Sequence, residues 1–292
     1  MSGEKVLVLN ATGKVGRNTC RALKEAGFDV YGTTRSNTAE LIKLGVNPII
    51  CNYTERSDID RVLSETGAKK VFSITDYFTA AKSKSEIEIQ HGKNAIDAAK
   101  EASVDHFIFV SVVDAECFNE HVMHIKTKVV IEDYLRASGL PYSILRPTAF
   151  FENYDDPKNW NPLKKGAIKF LSTKRIKYCA TYDIGRAAAV MFKDRDAWLG
   201  RSLDVIGWEG DLTEVAKALE KVGGVPVKAK LAMPIFLRRL FLKDLHNMFL
   251  YFEAGGPKSS SADFEKIIPD ALSSEDWFRF HGYYSNGEKI AP

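Results

Sequence analysis

Short apolar runs and longer amphipathic stretches alternate along the first half of the chain. Lys5–Leu9 is an apolar run that predicts a buried strand, and Arg17–Ala26 places Cys20, Ala22, Leu23 and Ala26 at helical spacing. Gly27 stops that helix, and a second apolar run, Phe28–Thr34, completes a β-α-β unit. The rhythm then repeats. Helices are predicted over Thr38–Leu44, Glu55–Glu65, Ser83–Ser103 and Met123–Ser138, and strands over Asn47–Cys51, Lys70–Thr75, His106–Val112 and Pro141–Arg146. In Ser83–Ser103 the apolar stripe runs through Ile87, Ala95, Ile96, Ala98 and Ala99. His106–Val112 is the most apolar strand, as expected where both faces are covered. Six strands alternating with helices over short connections predict an α/β fold with a doubly wound parallel sheet, its ligand at the carboxyl ends of the strands.

The rhythm changes after Phe151. Ala167–Ser172 and Arg175–Thr181 read as a hairpin around Thr173-Lys174, followed by helix Asp183–Phe192 and strand Ser202–Ile206. Thr213–Lys221 is an amphipathic helix ending at Gly223-Gly224, and Val227–Leu231 is a strand. Pro234–Glu253 is helical and rich in large apolar groups (Ile235, Phe236, Leu240, Phe241, Met248, Phe249, Tyr251, Phe252), which predicts core. A last helix opens at Ser274. The expected organisation is a sheet domain over residues 1–152 and a smaller C-terminal α+β substrate lobe over 153–292, with the chain crossing back around 175–206.

Composition narrows the setting. The chain has 292 residues, 45% hydrophobic and 27% charged, with a net charge of +3, which is too small to argue for nucleic acid. No apolar run approaches the ~18 residues of a membrane span, and no leader is expected before a strand that starts at Lys5. Cys20, Cys51, Cys117 and Cys179 are scattered without metal-ligand or redox spacing, so cytoplasmic placement is expected.

Candidate chemistry concentrates in the opening unit. Asn10, Thr12, Gly13, Lys14, Val15 and Gly16 belong to a turn between strand and helix, where free backbone N–H groups and the helix dipole favour a phosphate. The first glycine of a dinucleotide turn is here Asn10, the side-chain-bearing residue that best tolerates left-handed angles. An NAD site puts an acid at the end of the second strand, about twenty residues on. Here Thr33-Thr34-Arg35-Ser36 stands instead, and Arg35 offers a planar fork to a 2′-phosphate while Thr34 offers a hydroxyl. NADP(H) is the expected cofactor.

These residues carry a resemblance. Asn10–Gly16, Thr34-Arg35, Gln90-His-Gly-Lys-Asn94, Phe109-Val-Ser111, Lys128 with Glu132-Asp-Tyr134, Leu145–Asn153, Asp183-Ile-Gly185 and Trp277 resemble the NmrA-like family of atypical short-chain dehydrogenases/reductases over nearly the whole chain. The resemblance implies a Rossmann-type fold and either reduction of a quinone or small carbonyl, or NADPH/NADP sensing with a regulatory protein partner. It also implies Asn52 beside the adenine, Thr75 near the ribose, and Pro147 to Phe150 against the nicotinamide.

Reductases of the larger superfamily pair Tyr and Lys four residues apart on one helix face, together with a Ser. Lys128 and Ser111 suit two of these roles, but His124 stands where the tyrosine is expected. An imidazole can donate a proton near neutrality, so His124 is a candidate acid, with Lys128 anchoring the ribose. Phe150, Phe151, Tyr251, Phe252 and Trp277 are candidate walls for an aromatic substrate. His121 and His124 lack a third ligand at metal spacing, so no metal is expected. Lys164, Lys165, Lys169, Lys174, Arg175 and Lys177 read as a charged hairpin edge that blocks strand pairing. A small-molecule substrate or a regulatory protein is therefore the expected partner, with neither nucleic acid nor membrane, and a homodimer is compatible with the chain.

Overall fold

The computed structural model describes residues 3–117, 122–154, 166–281, 283–285 and 288–290. His121, Lys164 and Lys165 lie outside the described residues. Contacts divide the chain into two compact units, one holding the described residues of Met1–Cys117, Met123–Arg146 and Thr181–Asp204, the other Val122 and the described residues of Pro147–Ala180 and Val205–Pro292.

In the first unit the strands are β1 (Lys5–Val8), β2 (Asp29–Thr34), β3 (Asn47–Ile50), β4 (Lys70–Ile74), β5 (His106–Val110) and β6 (Tyr142–Pro147). Helices α1 (Lys14–Glu25), α2 (Ala39–Lys43), α3 (Arg56–Thr66), α4 (Ser85–Glu101) and α5 (Met123–Ala137) connect them. The chain leaves through β7 (Ala149–Phe150), β8 (Ala167–Phe170) and β9 (Ile176–Cys179), then returns with α6 (Thr181–Lys193), α7 (Arg195–Trp198) and β10 (Ser202–Val205). The sheet therefore has seven strands rather than six, ordered β10-β6-β5-β4-β1-β2-β3. From β3 to β6 every pairing is parallel. Leu7, Leu9, Val71, Phe107 and Phe109 pack against Ile59, Val62, Ala95, Ala99, Ile131 and Leu135 of α3, α4 and α5.

Helix α6 lies against α1, and the reason is local. A Cβ at Gly185 would stand 2.6 Å from the Thr19 Cα, so only glycine permits this approach. Asn18 Nδ2 also donates to Thr181 Oγ1 at 2.6 Å.

His106, at the start of β5, is fully buried. Ser143 Oγ gives its proton to the Trp198 carbonyl at 2.7 Å, so His106 Nε2 must donate to Ser143 at 2.8 Å. That leaves Nδ1 as an acceptor with no partner, and protonating it would bury an unsatisfied N–H. Burial, assisted by the charges of Lys70 and Arg195, lowers the imidazole to about 4. The unfolded chain binds this proton near pH ~6.5 and the folded chain does not, so stability is full above that pH and falls as pH drops toward 4. About 3 kcal/mol is expected to be lost across the window, read from urea unfolding at pH 7.5 and 4.5. His106→Gln should flatten that part of the profile; an unchanged slope would remove His106 as its source.

The second unit continues with β11 (Trp208–Gly210), α8 (Leu212–Gly223), β12 (Lys228–Leu231), α9 (Ile235–Phe241), α10 (Lys243–Glu253), α11 (Ala262–Ile267) and α12 (Ser274–His281). The expected hairpin of β8 and β9 does not form. β8 pairs in parallel with β12, while β9 pairs with β11 and β7. Thr173 and Lys174 cannot readily supply the positive φ values that a tight two-residue hairpin turn needs. The Leu171 carbonyl instead accepts from Arg238 at 2.6 Å. The basic run is accordingly dispersed: Arg175 pairs with Glu214 at 2.5 Å, and Lys177 donates to the Pro257 and Ser259 carbonyls.

Two further expectations fail here. Phe151 and Trp277 are buried side chains of an aromatic core: Phe151 stacks on Tyr178 at 5.2 Å, and Trp277 lies 5.7 Å from Phe151 and donates to Glu152 at 3.0 Å. Phe252 is buried as well, against Phe249 at 6.0 Å. These three are packing groups rather than exposed walls. Within Pro234–Glu253 the expected core holds for Phe249 and Phe252 but is inverted over Ile235–Phe241, where Arg238 is buried while Ile235, Phe236, Leu240 and Phe241 are exposed.

Candidate functional site

The turn after β1 is built as its sequence requires. Asn10 adopts φ 55°, the left-handed region that the missing glycine would have occupied. Its backbone N–H donates to Thr33 Oγ1 at 3.0 Å, tying the ends of β1 and β2 together. Gly13 precedes α1 in extended backbone and has no side chain to cap it, which puts the positive end of the helix dipole at the turn. At Gly16 a Cβ would fall 2.1 Å from the Asn10 carbonyl oxygen, which fixes glycine there and presses α1 onto the turn. Thr12 and Lys14 are exposed beside it, and Val15 is buried beneath.

A small pocket opens from this turn. It is lined by Asn10 and Thr12, by Thr33, Thr34 and Arg35 at the end of β2, by Cys51 and Tyr53 after β3, and by Asp76, Thr79 and Ala80 after β4. The carboxyl ends of four strands thus converge, as the doubly wound fold predicts. The Arg35 side chain is exposed, and Thr34 Oγ1 donates to the Asn37 carbonyl at 3.0 Å. Asn52 accepts from Thr54 at 2.9 Å, while its neighbours Cys51 and Tyr53 line the pocket. Tyr53, Asp76 and Thr79 were not legible as pocket residues, because loops after strands carry no periodicity. Burial and the nearby Asp76 carboxylate push the Tyr53 phenol up, so it stays neutral and a hydrogen-bond donor.

Beyond the end of β4 lies a buried polar cluster. Thr75 Oγ1 donates to Glu88 Oε1 at 2.8 Å, and Lys128 Nζ donates to Thr75 Oγ1 at 2.6 Å. Lys128 also pairs directly with Glu88, whose second oxygen accepts from Thr127. Glu88 is wholly buried, and Lys128 nearly so. Ser111, just past β5, is buried with an Oγ that has no partner. His124 sits one turn before Lys128 at the start of α5, its ring 5.3 Å from Phe78 and 6.2 Å from Tyr77. Pro147 closes β6, and Phe150 ends β7, where it pairs with Cys179. Among the described residues no three His, Cys, Asp or Glu side chains are grouped to hold a metal.

The model of the NmrA-like family matches residues 2–273. The chain belongs to the NmrA-like family. Among curated relatives, this NmrA-like chain is 24% identical to the photosystem II assembly factor Ycf39 of Cyanophora paradoxa over 270 residues, 90% of this chain and 81% of the relative. Its fold matches the NADPH-dependent quinone oxidoreductase QOR2 of Escherichia coli, crystallised with NADPH, with a TM-score of 0.71 at 20% identity over 93% of this chain and 97% of that one. It matches NmrA, a negative transcriptional regulator crystallised with NADP, equally well: TM-score 0.72 at 19% identity over 95% and 94%. An enzyme and a regulator on one fold mean that function must be argued from the site.

Proposed function

We propose that this NmrA-like chain binds NADP(H) in the first unit and reduces a small carbonyl or quinone with it. The observation that carries the cofactor is a pocket that joins the turn before α1, through Asn10 and Thr12, to Arg35 at the end of β2. The amides and helix dipole would take the pyrophosphate, and Arg35 a 2′-phosphate. The acid in this pocket, Asp76, comes from the end of β4 and accepts from the Thr79 amide at 2.9 Å, so β2 offers the ribose no carboxylate. The orphaned Ser111 Oγ fits a site that is completed by a ligand. Bound nicotinamide would supply the hydride. This chain's own groups would position the ribose through Thr75 and Lys128, and deliver a proton from His124. Pro147 to Phe150 are assigned to the nicotinamide end by family resemblance.

A second reading is favoured by one observation. Lys128 is paired with Glu88 and Thr75, and no tyrosine stands four residues before it, so the usual proton donor is missing. A chain that binds NADP(H) without turnover, and senses the NADPH/NADP ratio for a protein partner, uses the same pocket.

NADPH and NADH titrations followed by nicotinamide fluorescence test the cofactor. Arg35→Ala is expected to weaken NADPH by roughly tenfold to a hundredfold, the worth of a charge-assisted pair, and to leave NADH unchanged. Equal affinity of both proteins for NADPH would refute the 2′-phosphate assignment. Absorbance of reduced nicotinamide with a panel of quinones and aldehydes then separates the readings: turnover supports the reductase, and tight binding with none supports the sensor.

A further inference from the structure

Helix α9 is amphipathic in the inverted sense. Its one buried side chain is Arg238, held by Glu253 through two bonds of 2.9 and 3.1 Å, by the Leu171 carbonyl, by His246 Nδ1 at 3.2 Å, and over the Phe249 ring at 5.3 Å. This clamp turns the apolar side outward. Phe236 is 69% exposed, Leu240 and Phe241 each 70%, Ile235 54%, and Leu250 on the following helix 49%. Rotating α9 to bury them would break a buried bidentate ion pair, so the helix is fixed with its apolar face in water. An apolar patch held out in this way marks a contact surface.

The charge around the patch selects what it contacts. Arg239 and Lys243 are exposed on these two helices, and β12, which leads into α9, carries exposed Lys228 and Lys230. Lys230 is the register partner of Lys169 on β8, also exposed. From residue 225 to 250 the sole acid is Asp244. A second copy of this chain would bring Arg239 and Lys243 against like charges across a two-fold contact. Phe, Leu and Ile on a short helix rimmed by Arg and Lys match instead the boundary between anionic headgroups and acyl chains, with Arg239 and Lys243 reaching up to the headgroups. No helix among the described residues is long and apolar enough to cross a membrane, so the contact is a surface one.

We propose that α9 and the start of α10 dock this protein on anionic lipid surfaces, with Phe236, Leu240 and Phe241 inserted and Arg239 and Lys243 paired to headgroups. The proposal rests on the second unit alone and stands whether or not NADP(H) binds. Its test is co-sedimentation of the full chain with vesicles of phosphatidylcholine alone and with 30% phosphatidylserine. Preferential binding to the anionic vesicles is expected, weakening as salt is raised. Arg239→Gln with Lys243→Gln should reduce it roughly tenfold to thirtyfold. Phe236→Glu with Phe241→Glu should abolish it, and both positions are exposed enough for circular dichroism to show an unchanged fold. Three results would overturn the proposal. The first is no binding to either vesicle, and the second is equal, salt-insensitive binding to both. The third is a stable dimer by light scattering that the two Phe substitutions split, which would make the patch a self-contact.

Discussion

Replacing Glu88 with Gln is expected to cost about 3–5 kcal/mol of stability, the usual result of removing one partner from a buried ion pair. Glu88 has no solvent exposure, and its two oxygens serve Thr75, Thr127 and Lys128. The amide can still accept from one hydroxyl, but it cannot neutralise an ammonium that stays buried. Urea midpoints at pH 7.5 measure the cost. Lys128→Met should be comparably harmful because it strands the carboxylate, whereas Glu88→Met with Lys128→Met should recover most of the loss. If the single and double variants add instead, the pair is not a coupled unit. The cycle also bears on function. Lys128 can serve a ribose only through a donor that Glu88 and Thr75 leave to it, and an ammonium has three. NADPH affinity measured on stable Glu88→Gln protein therefore reports whether Glu88 orients Lys128 or competes for it.

Most of the first unit was legible because it is periodic. Apolar runs and helical stripes located β1 to β6 and α1 to α5 within a few residues, and the turn could be read down to the left-handed Asn10. Glu88 was missed although a signal existed. Stepping back from Ala99 and Ala95 by helical spacing passes through Gly92 to Glu88, so a carboxylate stood on the buried face of α4. The apolar stripe alone runs instead through Ile87, which is half-buried. The second unit was harder for a different reason. Its strands are two to four residues long, too short for alternation to name a partner, so β8 and β9 read as neighbours although they serve different sheets. Aromatic groups carry no direction in sequence either. Phe151 and Trp277 were eligible for a pocket or a core, and the Glu152 carboxylate beneath the Trp277 indole belongs to the core.

The inversion of α9 leads to the other large expected effect. Arg238→Met should cost about 3–5 kcal/mol, because it leaves the Glu253 carboxylate partly buried without its bidentate partner. Burial alone would raise that carboxyl, but hydrogen bonds from Arg238 and Ser172 overcome it and hold Glu253 below its ordinary range. Near pH 4.5 the unfolded chain then binds the proton more readily than the folded one. The pair's contribution is therefore complete above the unfolded pKa and lost as pH falls through the folded one. Without Arg238 burial is opposed only by the Ser172 hydrogen bond and the His246 charge, so the folded pKa moves up and the acid-dependent loss shrinks: mild acid should weaken the variant less than it weakens the wild type. Chemical denaturation at pH 4 and pH 7 reads this directly, with Arg238→Met closing the gap to wild type at the lower pH. A gap that widens in acid would mean Arg238 acts through Phe249 and the Leu171 carbonyl rather than through Glu253. Amide hydrogen exchange supplies the structural half of the test. The α9 amides should lose protection in the variant, since the clamp is what holds Phe236, Leu240 and Phe241 outward.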